Sequence, residues 1–422
     1  MRRLASIVFL VCAALLIATA TARAGDASGL REIKSKHLTL FTDLAADDEV
    51  DALPGYFDQA FGQWCAYFGV DADVHADWRV RGCLMRFRER FEAAGLVAAD
   101  LPPFANAYSR AGELWMYDQT SVYYRRHLLL HEGTHCFMHS ILGGTGPPWF
   151  AEGMAELLAT HRTDGGKVVL NHFPRSPDEV SKWGRIEIVQ TACADRKAMT
   201  LSKIFAYSGT LHAGVEPYGW CWAAAAFFDR HPRYRERFRQ LHHHVTGADF
   251  DQFVAKISAD DRARLSEDWQ QFVADIDYGY DFGRMEVELS AGKPLESNSQ
   301  RVTVAADRGW QSSGIALESG KKYRLHAQGQ YVVAQDQKPW TSEPGGVTIG
   351  YYHGRPLGIL LAAIRSDEPG TNNPSGLANP IVIGLDATLD VRHPGTLYLR
   401  INDSAGSLDD NSGAASVEIT RE

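Results

Sequence analysis

The chain has 422 residues, 45% of them hydrophobic and 23% charged. That composition is ordinary for a globular protein, with room for two or three domains and a sizeable core. Lys and Arg number 43 against 52 Asp and Glu, a net charge of −9, which argues against a general nucleic-acid binder.

Arg2-Arg3 precede an apolar run from Leu4 to about Ala20, and Ala22-Arg23-Ala24 offers an A-x-A cleavage site. This pattern predicts a Sec-type signal peptide over 1–24, with the mature chain starting near Gly25 and periplasmic or secreted. The run is short for a bilayer span, which weighs against an uncleaved anchor, and no other stretch could cross a membrane. Cys12 lies within the run, but Val11 before it does not fit a lipoprotein signal. Cleavage leaves Cys65, Cys83, Cys136, Cys193 and Cys221, an odd set with at least one unpaired thiol even where disulfides form. Cys136 and Cys221 sit in apolar helical patterns and read as buried thiols. With no C-x-x-C pair, a cysteine zinc site is not expected.

Ser35 to Thr42 alternates like a strand, and Val50 to Phe68 carries Phe57, Phe61, Trp64 and Phe68 at helical spacing. Trp78 to Phe87 alternates again, Arg88 to Leu96 is helical, and Gly112 to Tyr117 reads as a strand just upstream of the most informative segment.

That segment runs from Tyr123 to His161. Within it, His131-Glu132-Gly133-Thr134-His135 is an H-E-x-x-H pentad flanked by Leu128–Leu130 and by Phe137, Met138 and Ile141. Apolar residues at that spacing predict a buried helix that Gly143-Gly144 would stop. His131 and His135 then lie one turn apart on one face and can grip one zinc ion, while Glu132 is placed to act on a metal-bound water. A short Gly/Pro loop leads to Trp149-Phe150-Ala151-Glu152-Gly153-Met154-Ala155-Glu156, a second helical pattern. Catalytic zinc takes three protein ligands and keeps one position for water, and Glu152 can supply the third. Glu156, one turn on, could accept a hydrogen bond from a ligand imidazole and so orient it. The bland alternative is a buried helix pair with incidental polar residues. Burying two His and three Glu without a cation would be costly.

The block resembles the gluzincin metallopeptidases, in which H-E-x-x-H is followed by W-x-x-E-G or N-E-A on a second helix. The resemblance implies His131, His135 and Glu152 as zinc ligands and Glu132 as general base. It also implies a peptidase-type fold over 25–285, in which an edge strand near Gly112–Tyr117 would pair with an extended peptide substrate.

Further along, Val168 to Phe173 and Ile186 to Val189 read as short strands, and Glu216 to Asp229 as a helix of small and aromatic residues. The zinc aminopeptidases start a similar helix with Y-x-x-G, whose tyrosine donates a hydrogen bond to the oxyanion. Here the glycine directly follows Tyr218, a partial match. Tyr218 is therefore either that donor or an aromatic packing residue. The basic run His231 to His244 reads as a helix with a solvated face, His242 to His244 exposed rather than ligating, and Trp269 to Tyr280 closes the domain.

After Ser290 to Pro294 the texture changes to short alternating runs: Arg301–Ala305, Tyr323–Ala327, Gly346–Tyr352, Ile381–Leu385, Thr396–Ile401 and Ala415–Ile419. Many short strands without helical pattern predict an all-β sandwich over 286–422. Its stretch from Asn402 to Gly413 delivers a tight loop of hard oxygen donors, suited to calcium, which takes six to eight such ligands. The loop resembles that of the small bacterial calcium-dependent galactose-binding lectins, N-D-x-x-G-T-x-x-N-N-S-G. The resemblance implies Asp403, Ser407, Asp410 and Asn411 as calcium ligands, with Ser and Asp replacing Thr and Asn. Those lectins read the sugar with a His and a Gln on an intervening loop, which has no counterpart near Gly345 to His353, so galactose specificity does not carry over. An Asx-rich turn that binds nothing is the alternative.

The expectation is an α+β chain, a gluzincin-like domain followed by a lectin-like sandwich. It would be an exported zinc metallopeptidase acting on peptides or proteins, with a calcium-dependent module that holds it near glycans. The rival is a carbohydrate-binding protein whose zinc domain is a non-catalytic scaffold.

Overall fold

A computed structural model describes residues 29–208, 214–257, 262–367 and 374–422; the expected signal peptide, 1–24, lies outside them. The chain is mixed α and β with a β-rich C-terminal region. It divides into two compact units, one running through Ile141 with Thr163–Val168, the other made of Leu142–Arg162 and Val169–Glu422.

The first unit is built on a five-stranded sheet. Its strands β1 (Arg31–Lys34), β2 (Leu38–Thr42), β3 (Val80–Met85), β4 (Ala107–Arg110) and β5 (Glu113–Tyr117) lie in the order β1-β2-β3-β5-β4. β2, β3 and β5 run parallel, and their inward Leu38, Leu40, Leu84 and Met116 are fully buried. Helix α1 (Leu53–Phe68) buries Phe57, Phe61 and Trp64, the spacing that predicts it, and ends at Gly69, which adopts φ +65. β5 is not the edge: β4 pairs along it antiparallel from Arg110 to Ala107, so an extended peptide would have to pair with β4 instead. Helix α2 (Val122–Phe137) completes the unit, capped by Ser121, whose hydroxyl accepts the Tyr124 N–H.

The second unit begins with α3 (Pro148–Ala159), its first turn started by Pro147 and Pro148. A two-stranded hairpin follows, β6 (His161–Asp164) and β7 (Lys167–Leu170), of which Thr163–Val168 belongs to the first unit; α4 (Arg185–Ala194) and α5 (Glu216–Arg230) continue the second. The segment Ile186–Val189, expected as a strand, is part of α4; Ile186, Val189 and Ala192 are buried at three-residue spacing, one helix face. The basic run is broken rather than continuous, a short helix Arg235–Arg239 and a 3-10 turn Leu241–His244, with Tyr234, Phe238 and Leu241 buried. Helix α6 (Arg262–Asp275) leads into the β-rich region.

That region contains two antiparallel sheets. One holds β8 (Ser299–Ala305), β10 (Lys322–Gln328), β11 (Tyr331–Gln335), β12 (Pro339–Ser342), β16 (Asp386–Asp390) and β18 (Ser412–Arg421). The other holds β9 (Gln311–Leu317), β13 (Gly345–Tyr352), β14 (Arg355–Arg365), β15 (Ile381–Val382) and β17 (Gly395–Ile401). Leu325, Val417 and Ile419 from the first and Ile315, Leu360 and Leu397 from the second share one apolar core. Among the described residues no helix is long and apolar enough to cross a membrane.

Buried charge ties α6 to these sheets. Arg365 of β14 pairs bidentately with Glu267 (Nη2 to Oε2 2.8 Å, Nε to Oε1 3.2 Å), and Arg400 of β17 donates from Nη1 to Asp275 at 2.8 Å. All four residues are at most 8% exposed.

Candidate metal centres

α2 carries three histidines on one stripe rather than two: His127, His131 and His135 follow at one-turn intervals. His127 and His131 are buried and His135 is partly exposed. The opposite side of α2 approaches α1 closely because residue 133 is glycine. A Cβ there would lie 2.6 Å from Phe57 and 2.7 Å from Trp64.

α2 does not stop sharply at Gly143-Gly144. It loosens into a π-turn, Met138–Leu142, before Gly143 (φ +78) and Gly146 (φ +72) reverse the chain. α3 then returns with Glu152 and Glu156 both buried. It too uses a glycine for close packing, since a Cβ on Gly153 would lie 2.9 Å from the Cys221 carbonyl oxygen of α5.

The Nε2 atoms of His131 and His135 face each other at 3.2 Å, with ring centroids 4.9 Å apart. A carboxylate oxygen of Glu152 joins them, the three atoms all within 4.8 Å of one another. Two nitrogens bound to one tetrahedral zinc at about 2.0–2.1 Å stand roughly 3.3 Å apart, so the imidazole spacing fits that ion. Burying two imidazoles and a carboxylate together is also the donor chemistry zinc takes.

A second set, His127, His131 and Glu156, meets the same distance limit. Here Arg185 of α4 already holds the carboxylate, Nη2 to Oε1 at 2.9 Å and Nε to Oε2 at 3.1 Å. A cation at this set would face a buried guanidinium, so the set with Glu152 is the better metal site. Glu156 stands where an imidazole could reach it, as its expected orienting role requires, but both its oxygens also serve Arg185.

Glu132 is buried next to His131, at 7% exposure. Burial, and then the Glu132 charge, push the Cys136 thiol well above the ordinary range, which keeps it protonated. Tyr218 lies in the first turn of α5, half-buried, with the Arg185 guanidinium 5.8 Å from its ring centre. Arg185 thus spans from Glu156 to Tyr218. Two residues escaped sequence reasoning. His127 was legible, because it extends the four-residue histidine spacing one turn upstream. Arg185 had no local signal, being 29 positions from the carboxylate it holds.

The oxygen-rich loop brings three of its four expected residues together. Asp403 is buried, its Oδ1 accepting the Ser404 N–H at 2.7 Å and its Oδ2 accepting from Asn411 Nδ2 at 2.8 Å. Asp410 accepts the Gln335 N–H at 2.7 Å through Oδ2. The other oxygens, Asp410 Oδ1 and Asn411 Oδ1, are buried without a hydrogen-bond partner among the described residues. Burial, with the Asp410 charge adding to it, pushes the Asp403 carboxyl up to about 6. Ser407 is exposed at the turn, its N–H donating to the Ser404 carbonyl. Two orphaned oxygens beside a carboxyl reluctant to ionise fit a hard cation. The five cysteines among the described residues are free thiols, four buried and Cys193 partly so, with burial holding Cys83 up at about 12.

No family model and no curated protein matches the chain. Among solved structures, the N-terminal domain of EclA, a PllA-like lectin, aligns at 22% identity over 30% of this chain and 98% of that one, with a TM-score of 0.23. IMPa from Pseudomonas aeruginosa, solved in complex with an O-glycopeptide, aligns at 15% identity over 59% of this chain and 25% of that one, with a TM-score of 0.18. At such TM-scores neither likeness bears on site or function.

Proposed function

We propose that the chain is an exported zinc-dependent hydrolase, a gluzincin-type metallopeptidase. We further assign its C-terminal sheets, 286–422, to a calcium-dependent glycan-binding module. The observation that carries the enzymatic reading is the facing pair of Nε2 atoms on His131 and His135, 3.2 Å apart with Glu152 beside them.

His131, His135 and Glu152 would hold the ion, which when bound supplies a polarising charge and a water acidified to near neutrality. Glu132, held on the same helix, takes the proton of the attacking water and returns it to the leaving amine. Tyr218 donates its hydroxyl to the carbonyl oxygen as negative charge develops there. Arg185 holds Glu156 in place by donating to both of its carboxylate oxygens. The glycan module, through Asp403, Asp410, Asn411 and the exposed Ser407, would raise the local concentration of enzyme at a glycosylated surface.

Purified protein should carry about one zinc per chain. Glu152→Ala should strip it, whereas Glu132→Gln should retain it and lower peptide hydrolysis by about 10²- to 10⁴-fold. Elemental analysis and a broad peptide-library cleavage assay measure both. Full activity in Glu132→Gln would exclude the mechanism.

A further inference from the structure

A cleft of about 730 Å³ opens at the far end of α5 from Tyr218, entirely within the second unit. Asp229 and Arg230 close α5 there, 11 residues beyond Tyr218 (229 minus 218). At about 1.5 Å per residue that is roughly 16 Å along the helix, so the cleft lies well away from Tyr218. One wall is the tip of the oxygen-rich loop, Gly406 to Asp409.

Four arginines line the cleft: Arg175, Arg230, Arg235 and Arg239. Two are fixed in place. Arg239 donates from Nε to Asp229 Oδ1 at 2.7 Å and from Nη2 to Oδ2 at 3.2 Å. Arg230 donates to Asn171 and lies 5.5 Å over the Phe173 ring. Arg175 and Arg235 are exposed, and among the described residues neither guanidinium is hydrogen-bonded to a carboxylate. The acids nearby are already engaged. Asp229 also accepts from Asn171 at 2.8 Å, and Asp281 takes the N–H groups of Gly283 and Arg284, both at 2.9 Å. Glu179 is shared between His172 and the Arg175 N–H, both at 2.9 Å. Among the described residues lining the cleft, Asp409 is the carboxylate left without such a contact, while Glu179 beside the cleft also interacts with the Arg175 charge.

We propose that this cleft binds an anionic saccharide, a sugar unit bearing a carboxylate. Guanidinium forks match the planar geometry of a carboxylate and can bind it bidentately. Phe173 and Phe282, in edge contact at 5.8 Å between centroids, add an aromatic wall of the kind that ligand pockets pair with a few placed polar groups. The volume suits a small organic ligand, commonly about 300–1,000 Å³, and far exceeds what an inorganic anion fills. The assignment rests on neither the zinc nor the calcium reading.

The test titrates the full chain calorimetrically with 3′-sialyllactose and with lactose, which differ by the carboxylated residue. The acidic sugar should bind at least about 10-fold more tightly than the neutral one, and Arg175→Ala/Arg235→Ala should remove that preference. Arg392→Ala, an exposed arginine elsewhere, should not, and a melting curve of each variant checks folding. Preference should persist with EDTA present, which separates this cleft from the oxygen-rich loop. Equal binding of both sugars, an unchanged double variant, loss under EDTA, or tighter binding of a poly-glutamate peptide or of inorganic phosphate would each overturn the proposal.

Discussion

Tyr218 carries a hydroxyl whose removal probes anion stabilisation with little effect on packing. If it donates in the transition state, Tyr218→Phe should lower turnover about 10²- to 10³-fold with zinc content unchanged. An unaltered turnover number would reduce it to the aromatic platform under Arg185. Asp403 makes a different residue-scale statement, one that depends on pH. Its carboxyl moves from 3.8 up to about 6 in the folded chain because burial disfavours the charge. Without a cation, its contribution to stability is therefore complete below the unfolded value and is lost as pH rises through about 6. A cation requires the ionised form, so calcium affinity should run the other way and weaken as pH falls below about 6. Calcium titrations at about pH 7.5 and about pH 5 check this. Equal affinity at the two would take Asp403 out of the ligand set.

At the scale of elements, α2 and α3 share a design: a glutamate followed at once by a glycine that lets the helix sit against its neighbour. Gly153→Ala would press a methyl within 2.9 Å of the Cys221 carbonyl and 3.2 Å of Ala225 Cβ. Overpacking of that kind costs about 1–3 kcal/mol, and here it would also shift Glu152. The expected result is a lower melting temperature together with weaker zinc retention. Loss of stability with metal affinity intact would uncouple the helix contact from the site. These two helices were legible because their caps, periodicity and ligand spacing all lie in one continuous segment. α4 was misread as a strand because Ile186, Ile188 and Val189 are β-branched. Its helical face, Ile186, Val189 and Ala192, is decided by tertiary burial that outweighs local preference. The strand β14 was hidden for a related reason. Apolar on both faces from Gly358 to Ala363, it lacks the alternation that marks its neighbours. The metal-competent triad with Glu152 was readable, while Arg185 on Glu156 depends on a fold-level approach that no spacing reports.

Across the whole molecule, the change of texture near residue 286 is not a clean seam. Arg365 and Arg400 reach back to Glu267 and Asp275, and Ser404 donates to Asp277 at 2.8 Å. Residues 286–422 expressed alone are expected to fold around their own core, but to melt below a version extended back to Arg262. In the full chain, Glu267→Ala leaves Arg365 buried beside an empty position and should cost about 3–5 kcal/mol, measured by denaturant unfolding. A loss under about 1 kcal/mol would show that water reaches the guanidinium and that the tie is weak.

Under the proposed export, the five free thiols of the described residues set a time limit on folding. Cys65, Cys83, Cys136 and Cys221 are protected by packing alone, which exists only once the chain has collapsed. A polypeptide threaded unfolded into an oxidising compartment would present all of them to whatever disulfide catalyst it meets. Wrong cross-links formed then would lock residues of different elements together before α2 and β3 could bury theirs. For such a chain, the speed of folding is itself a form of chemical protection, and a mutation that merely slows it would surface as covalently trapped protein.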